Sequence, residues 1–216
     1  KDKGFTNFLY YGIIYIMNIF VLDRNPVVAA QMQCDKHIVK MIVESGQMLS
    51  TAHRMLDAEV TRGPSKSGKT IQKKWVFRDE REDILYKAVH MYHPCTTWTM
   101  QSMHNYRWHY LHFVGLCDEY TYRYDKVHGT DTRLREPLEK IPQNIPRGKM
   151  TDFALAMKAF PDCMTNCAVE SYQNFYHTKL AYMPMVWTKR KQPDWFRPNA
   201  YERKYNKLDW VGEHWE

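Results

Sequence analysis

A mainly α-helical, compact single-domain bundle is the fold the sequence predicts, with a short β-hairpin or loop insertion near residues 59–77. Three observations carry that prediction. Residues 35–56 place Ile38, Met41, Ile42, Ser45, Leu49, Ala52 and Leu56 at three- and four-residue intervals, the spacing of one helix face. Residues 97–124 repeat it with Met103, Tyr106, Tyr110, Phe113, Cys117, Tyr120 and Tyr124. Between them, residues 59–77 turn to glycine, proline, serine and threonine and then to a run ending in Trp75-Val-Phe77, which is turn chemistry flanked by strands.

In chain order, residues 1–16 precede the first methionine and read as a translated leader, with Met17 as the native start and 17–216 as one globular domain. The apolar stretch 8–22 is interrupted by Asn18, falls short of the ~18–20 residues of a membrane span, and has no small-residue cleavage site after it, so no membrane partner is expected. Residues 18–22 read as a short strand or extended segment. Asp23-Arg-Asn-Pro26 then supplies a turn and a first helical residue, opening a helix over 26–33. After the long helix over 35–56 and the insertion, 79–89 reads as helical until His93-Pro94 breaks it. A continuous helix is expected over 97–124 and a short one over 132–140, after which Pro137, Pro142 and Pro146 impose an irregular crossing. The last helix is expected over 170–181, followed from Trp187 by an irregular basic and aromatic tail.

Composition narrows the function classes. With 44% hydrophobic residues, the 216-residue chain is long enough to build a core without staples, and its five irregularly spaced cysteines do not form a secreted disulfide framework. They read as reduced thiols, which places the protein in a cytoplasm. A net charge of +7 favours partners that carry phosphate.

Several local patterns bear on chemistry. Gly63-Pro-Ser-Lys-Ser-Gly-Lys-Thr70 satisfies the phosphate-loop pattern, but its flanks are an amphipathic helix and a strand-like run, where a working loop joins a buried strand to a helix. A flexible basic hairpin tip is the better reading. Cys34 with His37, and His90 with His93, have spacings that suit paired metal ligands, yet neither pair supplies the four ligands of a structural zinc, so no metal or cofactor is assigned. Cys163 and Cys167 read as thiols on an irregular segment.

Opposite the apolar face of 35–56 run His37, Lys40, Glu44, Gln47, Thr51 and Arg54, again at helical spacing. This stripe is either a solvated face or the wall of a site. Its mixture favours a site: Glu44, flanked by Lys40 and Gln47 and one turn on by His37 and Thr51, has the neighbours to stabilise a cation. Elsewhere rings alternate with cations around Trp98, Asn105-Tyr-Arg-Trp108, residues 120–128 and Trp187-Thr-Lys-Arg190, a combination that stacks bases and neutralises phosphate, although aromatic residues at helical spacing also pack as core.

These residues resemble two families. Asn18-Ile-Phe-Val-Leu-Asp23, Cys34-Asp-Lys-His-Ile-Val-Lys-Met41 with Glu44, Leu49-Ser-Thr-Ala-His53, His93-Pro94 with Trp98, residues 119–128 and Trp187-Thr-Lys-Arg190 resemble a protein family frequent in marine tailed phages. More distantly, Asp35-Lys-His37 with a Glu seven residues after the His is similar to the pyrimidine-dimer DNA glycosylases, small helical repair enzymes in which that Glu is the catalytic carboxylate. The resemblance implies a DNA base-processing enzyme of glycosylase or glycosylase/AP-lyase type, with Glu44 as acid or base and His37 positioning it. One departure concerns the nucleophile. Those enzymes use the amine of a small N-terminal residue, whereas Asn18 after Met17 is too large for efficient methionine removal, so the Met17 amine or Lys40 would have to serve, or the reaction would be hydrolytic. Arg54, Arg123 and Lys126, with His128, Lys189 and Arg190, are expected to contact nucleic acid, and Trp98 or Asn105 the base. DNA, or else RNA, is the expected partner. A non-catalytic phage nucleic-acid-binding accessory protein is the competing reading, and a phosphate-loop nucleotide hydrolase the third.

Overall fold

Helix α1 (Pro26–Gln31) begins where it does because the Asn25 side chain accepts the amide hydrogens of Val27 and Val28, while Pro26 occupies a first-turn position that needs no donor. It is followed by α2 (Asp35–Asp57), β1 (Glu59–Pro64), β2 (Ile71–Val76), the single turn α3 (Arg81–Ile84), α4 (Pro94–Gln101), α5 (Met103–Tyr124), α6 (Gly129–Glu139) and α7 (Ala168–His177). Short 3-10 turns lie at Pro161–Cys163 and Thr178–Ala181. This computed structural model describes residues 17–65, 67–181 and 183–198; the leader expected at 1–16 and the end of the tail lie outside the described residues. The architecture is mainly α, and β1 and β2 form an antiparallel hairpin in the place expected for the insertion.

Helix α2 runs through the middle of the molecule, packed on α4, α5 and α6, while α1 lies across α5. Two close helix approaches depend on glycine. A Cβ at Gly46 would come within 2.9 Å of Thr130 where α6 meets α2, and one at Gly115 within 3.1 Å of Ala30 where α1 meets α5. Both faces of α2 are covered. Ile38, Met41, Ile42, Leu49 and Ala52 are buried as the periodicity requires, but so are His37, Glu44, Thr51 and Arg54 from the polar stripe.

Burying that stripe creates an obligation, since a polar group removed from water costs stability unless it is bonded. Arg54 meets it fully: Nε donates to the Tyr86 carbonyl at 2.7 Å, Nη1 to the Trp75 carbonyl at 2.9 Å and to Glu82 Oε2 at 2.6 Å, and Nη2 to the carbonyls of Glu82 and Leu85 at 3.0 Å each. This explains why the helix expected over 79–89 is only the turn α3. Carbonyls that would accept later amides of a helix are instead turned to the guanidinium. The other departure is at Ser102, whose extended backbone ends α4 and whose Oγ accepts the Asn105 amide hydrogen, so the expected helix over 97–124 is two helices.

Arg54→Ala takes the guanidinium partner from Glu82 and from four carbonyls, and should cost about 3–5 kcal/mol, the range for breaking a buried ion pair. Urea unfolding measures it. Arg54→Lys should also be destabilising, because an ammonium cannot span the same acceptors; a loss under about 1 kcal/mol for both, the size of an exposed ion pair, contradicts the assignment.

The core also holds histidines kept neutral by burial. The imidazoles of His37 and His112 are pushed down to about 3 and His53 to about 4, and that of His109 well below its usual value. In each case desolvation is the largest cause. An unfolded histidine titrates near 6.5, so below that pH the unfolded chain takes up protons the folded one refuses. The stability these groups contribute is therefore present above about pH 6.5 and is lost as pH falls toward their folded values. Urea midpoints should drop steadily between about pH 6.5 and 5, a window in which ordinary carboxylates remain ionised. A flat profile there would mean that these imidazoles protonate within the fold.

Candidate functional site

The site is built on Asn18. Its Oδ1 accepts the amide hydrogens of Ile19 at 2.8 Å and Phe20 at 3.1 Å, its Nδ2 donates to the Ala156 carbonyl at 3.2 Å, and its own amide donates to Glu44 Oε2 at 3.1 Å. A short amide side chain that bonds its own following backbone makes this tight turn, which a longer side chain would not reproduce. The turn forces Phe20 into the left-handed region at φ 55, and His90 across the site is also there at φ 48. For a bulky residue that conformation costs on the order of 1–3 kcal/mol, and such strain concentrates where structure serves a site.

Glu44 projects from α2 beneath this turn with its side chain 11% exposed. Lys40 Nζ, one helical turn away, lies 3.1 Å from Oε1, so among the described residues each carboxylate oxygen has one donor. Burial raises the Glu44 pKa, and Lys40, the Asn18 amide and the charge of His90 only partly oppose it. Below, the Cys95 thiol at the start of α4 lies within electrostatic range of Glu44 and is pushed up to about 12 by burial, which leaves it an inert thiol.

His37 stands one turn before Lys40. Its ring stacks on Phe20 at 4.7 Å, and its Nδ1 lies 2.7 Å from the Tyr176 hydroxyl on α7. That hydroxyl already accepts the Cys34 amide hydrogen at 2.8 Å, so its own hydrogen is available for Nδ1, which makes Nε2 the protonated nitrogen of a neutral ring.

Lys179, in the 3-10 turn after α7, completes the group. Its Nζ lies 3.8 Å from the Phe175 ring centroid, with Phe160 at 5.7 Å and Phe20 at 5.9 Å. Burial first, and the charge of Lys40 second, bring its pKa down to about 8. The structure thus gathers Glu44, Lys40, His37 and Lys179 on one side of α2, where helical spacing points only to the first three. Lys179 belongs to no helical pattern with α2. Its one signal in the sequence is an amine directly after an aromatic helix, which is weak.

The other residues expected to contact nucleic acid are placed as follows. Arg54 is fully enclosed by its five bonds, and Arg123 is buried between Glu119 at 2.8 Å, Asp35 at 2.8 Å and the Gln31 carbonyl at 3.0 Å, so neither reaches a phosphate. Trp98 is 2% exposed and packs on Trp108 and Phe153; Asn105 is buried, holding the Trp98 carbonyl and Thr151. Neither is placed to contact a base. His128 caps α6 by accepting the Thr130 amide hydrogen and sits edge-on to Tyr120. Lys189 is paired with Asp125 and Arg190 with both oxygens of Glu119, which pins the tail to α5. Lys126 alone of this set is exposed without a carboxylate partner among the described residues. Cys34 and His37 both face Tyr176, and His93 caps α4; among the described residues no three potential ligands converge on a metal position. No helix among them is long and apolar enough to cross a membrane.

Compared with known protein families, curated proteins and solved structures, the chain has no match.

The tautomer of His37 can be read directly. Two-dimensional imidazole spectra should show it neutral and protonated on Nε2 throughout about pH 5–8, far above its folded pKa of about 3. An imidazolium signal in that window contradicts the geometry, and Tyr176→Phe should release the tautomer preference.

Proposed function

We propose that this protein is a DNA base-processing enzyme of the glycosylase or glycosylase/AP-lyase type, acting on a damaged or modified base with Glu44 as the acid and Lys179 as the amine nucleophile. The observation that carries the reading is one constellation: a buried carboxylate held by the Asn18 amide and Lys40, with Lys40 also within electrostatic range of a lysine held in an aromatic cage. The resemblance of the 35–44 segment to the pyrimidine-dimer glycosylases adds to it.

The chemistry uses each part. An amine is a nucleophile only when neutral, and near pH 8 about half of the Lys179 amine is in that form. Its lone pair forms a bond to C1′ of the nucleotide as the bond from C1′ to the base breaks, and the base departs with the proton of the Glu44 carboxyl. The resulting Glu44 carboxylate takes a proton from the new secondary amine. The sugar then opens at C1′–O4′, the oxygen taking that proton back from the Glu44 carboxyl, to leave a protonated imine between Lys179 and C1′. His37 Nε2–H supplies a neutral donor, and the Lys40 ammonium stabilises Glu44 after it has lost its proton. Lys40 is a poorer nucleophile because it is engaged with that carboxylate, and the Met17–Asn18 backbone, which crosses Glu44, offers a second amine only if the chain begins there.

Borohydride trapping tests the reading. Incubated with duplex DNA carrying a cyclobutane dimer, an abasic site or a hydroxymethylated pyrimidine, the protein should form a covalent adduct that mass spectrometry maps to Lys179. Glu44→Gln should lower the yield on base-bearing substrates by roughly 10²–10⁴, the range for removing a general acid. Lys179→Met should abolish the adduct, and trapping should fall as pH drops below about 8 and the amine protonates. Salt-sensitive binding with no adduct, no base release and no strand cleavage on any substrate refutes the enzyme and leaves a non-catalytic nucleic-acid-binding protein. Base release without an adduct assigns a hydrolytic route and removes Lys179 from the mechanism.

A further inference from the structure

The hairpin is the most cationic part of the molecule, and nothing in the chemistry at Glu44 uses it. Between residues 60 and 75 the sequence has Arg62, Lys66, Lys69, Lys73 and Lys74 and no carboxylate, which is five of the chain's net +7. The acidic residue next to it, Glu59, is taken by Arg78 at 2.8 Å. Among the described residues no carboxylate pairs with Arg62, Lys69, Lys73 or Lys74. The register sets Arg62 directly opposite Lys73, a like-charge cross-strand pair that destabilises an isolated ribbon. A fold that keeps such a pair without a counter-charge presents it to an anion.

The distribution of charge around the ribbon identifies the anion. Directly opposed residues of an antiparallel pair share a face. One face therefore carries Arg62 and Lys73 together with Val60, Trp75, Pro64 and Ile71, and the other carries Lys74 with Thr61 and Gln72. Lys69 stands in the connecting turn, which closes through the Ser65 amide bonded to the Thr70 carbonyl at 2.7 Å and Gly68 at φ 72. Cations on both faces suit a ribbon lying between two walls of phosphate. A flat lipid surface would meet charge on one face only. The major groove of a duplex, ~12 Å wide, admits a two-stranded ribbon and lines it with phosphate on both sides. Ile71 and Val60, 68% and 59% exposed, give the same ribbon apolar contacts for base edges.

The base of the ribbon is tied to the body of the fold. Arg54 holds the Trp75 carbonyl and Glu82 holds the Phe77 amide, which ties the foot of β2 to α2, the helix that bears Glu44. Residues 72–76 of β2 line a cavity of about 690 Å³ with Glu82, Val89 and Met91, and His90, between the last two in sequence, lies within electrostatic range of Glu44. We propose that the β1–β2 hairpin is a nucleic-acid arm that lies in a groove of duplex DNA, with Arg62 and Lys73 meeting phosphates of one backbone and Lys74 and Lys69 those of the other. The choice of DNA rests on the functional reading above; the arm itself needs no catalysis.

Its test is binding of the full chain to a short undamaged duplex, followed by fluorescence anisotropy across a salt series. Replacing Arg62, Lys69, Lys73 and Lys74 together by Gln should reduce the slope of log K against log salt by about 3–4, roughly 0.9 for each phosphate no longer neutralised, and weaken binding at least about tenfold. Replacing the exposed Arg24, Arg147, Lys149 and Lys158 by Gln removes the same charge elsewhere and should leave most of the slope. Circular dichroism should be unchanged in both. An unaltered slope in the arm variant, an equal fall in the control variant, or arm-dependent binding to anionic vesicles with none to the duplex overturns the proposal. The two readings fail separately: arm-dependent binding without base release keeps the arm and refutes the enzyme, whereas base release with arm-independent binding does the reverse.

Discussion

The desolvation of α2 is the constraint on which the rest of this structure depends. A 23-residue helix covered on both faces carries His37, Glu44, Thr51 and Arg54 into the interior with its apolar row. Packing supplies the driving force, at roughly 1.5–3 kcal/mol for each large aliphatic side chain buried. The polar groups threaten to cancel it, since one unpaired buried charge costs as much as one or two such side chains contribute. The fold answers by bringing a different part of the chain to each polar group. The 75–86 segment closes on Arg54, the Val89 backbone bonds Thr51 in both directions, the Asn18 turn caps Glu44, and α7 reaches His37 through Tyr176. At the start of the helix Asp35 accepts from Thr188 and from Arg123, which fixes the tail. Much of the irregular chain, some of it distant in sequence, is thus positioned by demands that originate in one helix.

Not all of these demands are met equally, and the difference separates scaffold from site. Arg54 has a partner for every donor group and sits where solvent does not reach. Glu44 has one donor per oxygen among the described residues, retains exposure, and is held above the usual carboxylate range because burial outweighs its partners. Lys179 is stabilised by ring faces and displaced downward by burial and by Lys40. An acid pushed up and an amine pushed down are both moved toward their uncharged forms. The same low-dielectric surroundings produce both shifts, so they do not need separate devices.

How far the sequence foretells this depends on which physical quantity each residue type reports. Apolar periodicity locates α2 and α5, and the Gly-Pro-Ser-Lys-Ser-Gly segment marks a turn between strands, because both follow from local backbone and burial preferences. Periodicity says which residues share a face but not whether the opposite face is also covered. Arg54, Arg123, Trp98 and Asn105 therefore read from spacing as surface groups open to a ligand, whereas in the fold they are interior supports. The break at Ser102 is hidden because the apolar spacing continues across it; only the cap geometry ends the helix. Lys179 lies beyond reach for another reason. Its character comes from Phe20, Phe160, Phe175 and Lys40, most of them distant in sequence from one another, and no spacing rule connects them.

Net charge carries a similar ambiguity. Taken as a sum, +7 describes a uniformly basic surface, with the arginines of the long helices as its natural source. In the fold, Arg54, Arg123, Arg135 and Arg190 are each neutralised by carboxylates at 2.6–2.8 Å, so they contribute structure and little field. Among the described residues, uncompensated cations also lie elsewhere on the surface, but the ribbon brings several of them together on two paired strands. A field from a compact source falls off within about a Debye length, ~10 Å at 0.1 M salt, so it acts on what lies against the ribbon and not on the opposite side of the molecule. Because Arg54 fastens the foot of that ribbon to α2, a residue whose spacing suggests a phosphate ligand is the one that sets the orientation of the charged strands relative to Glu44.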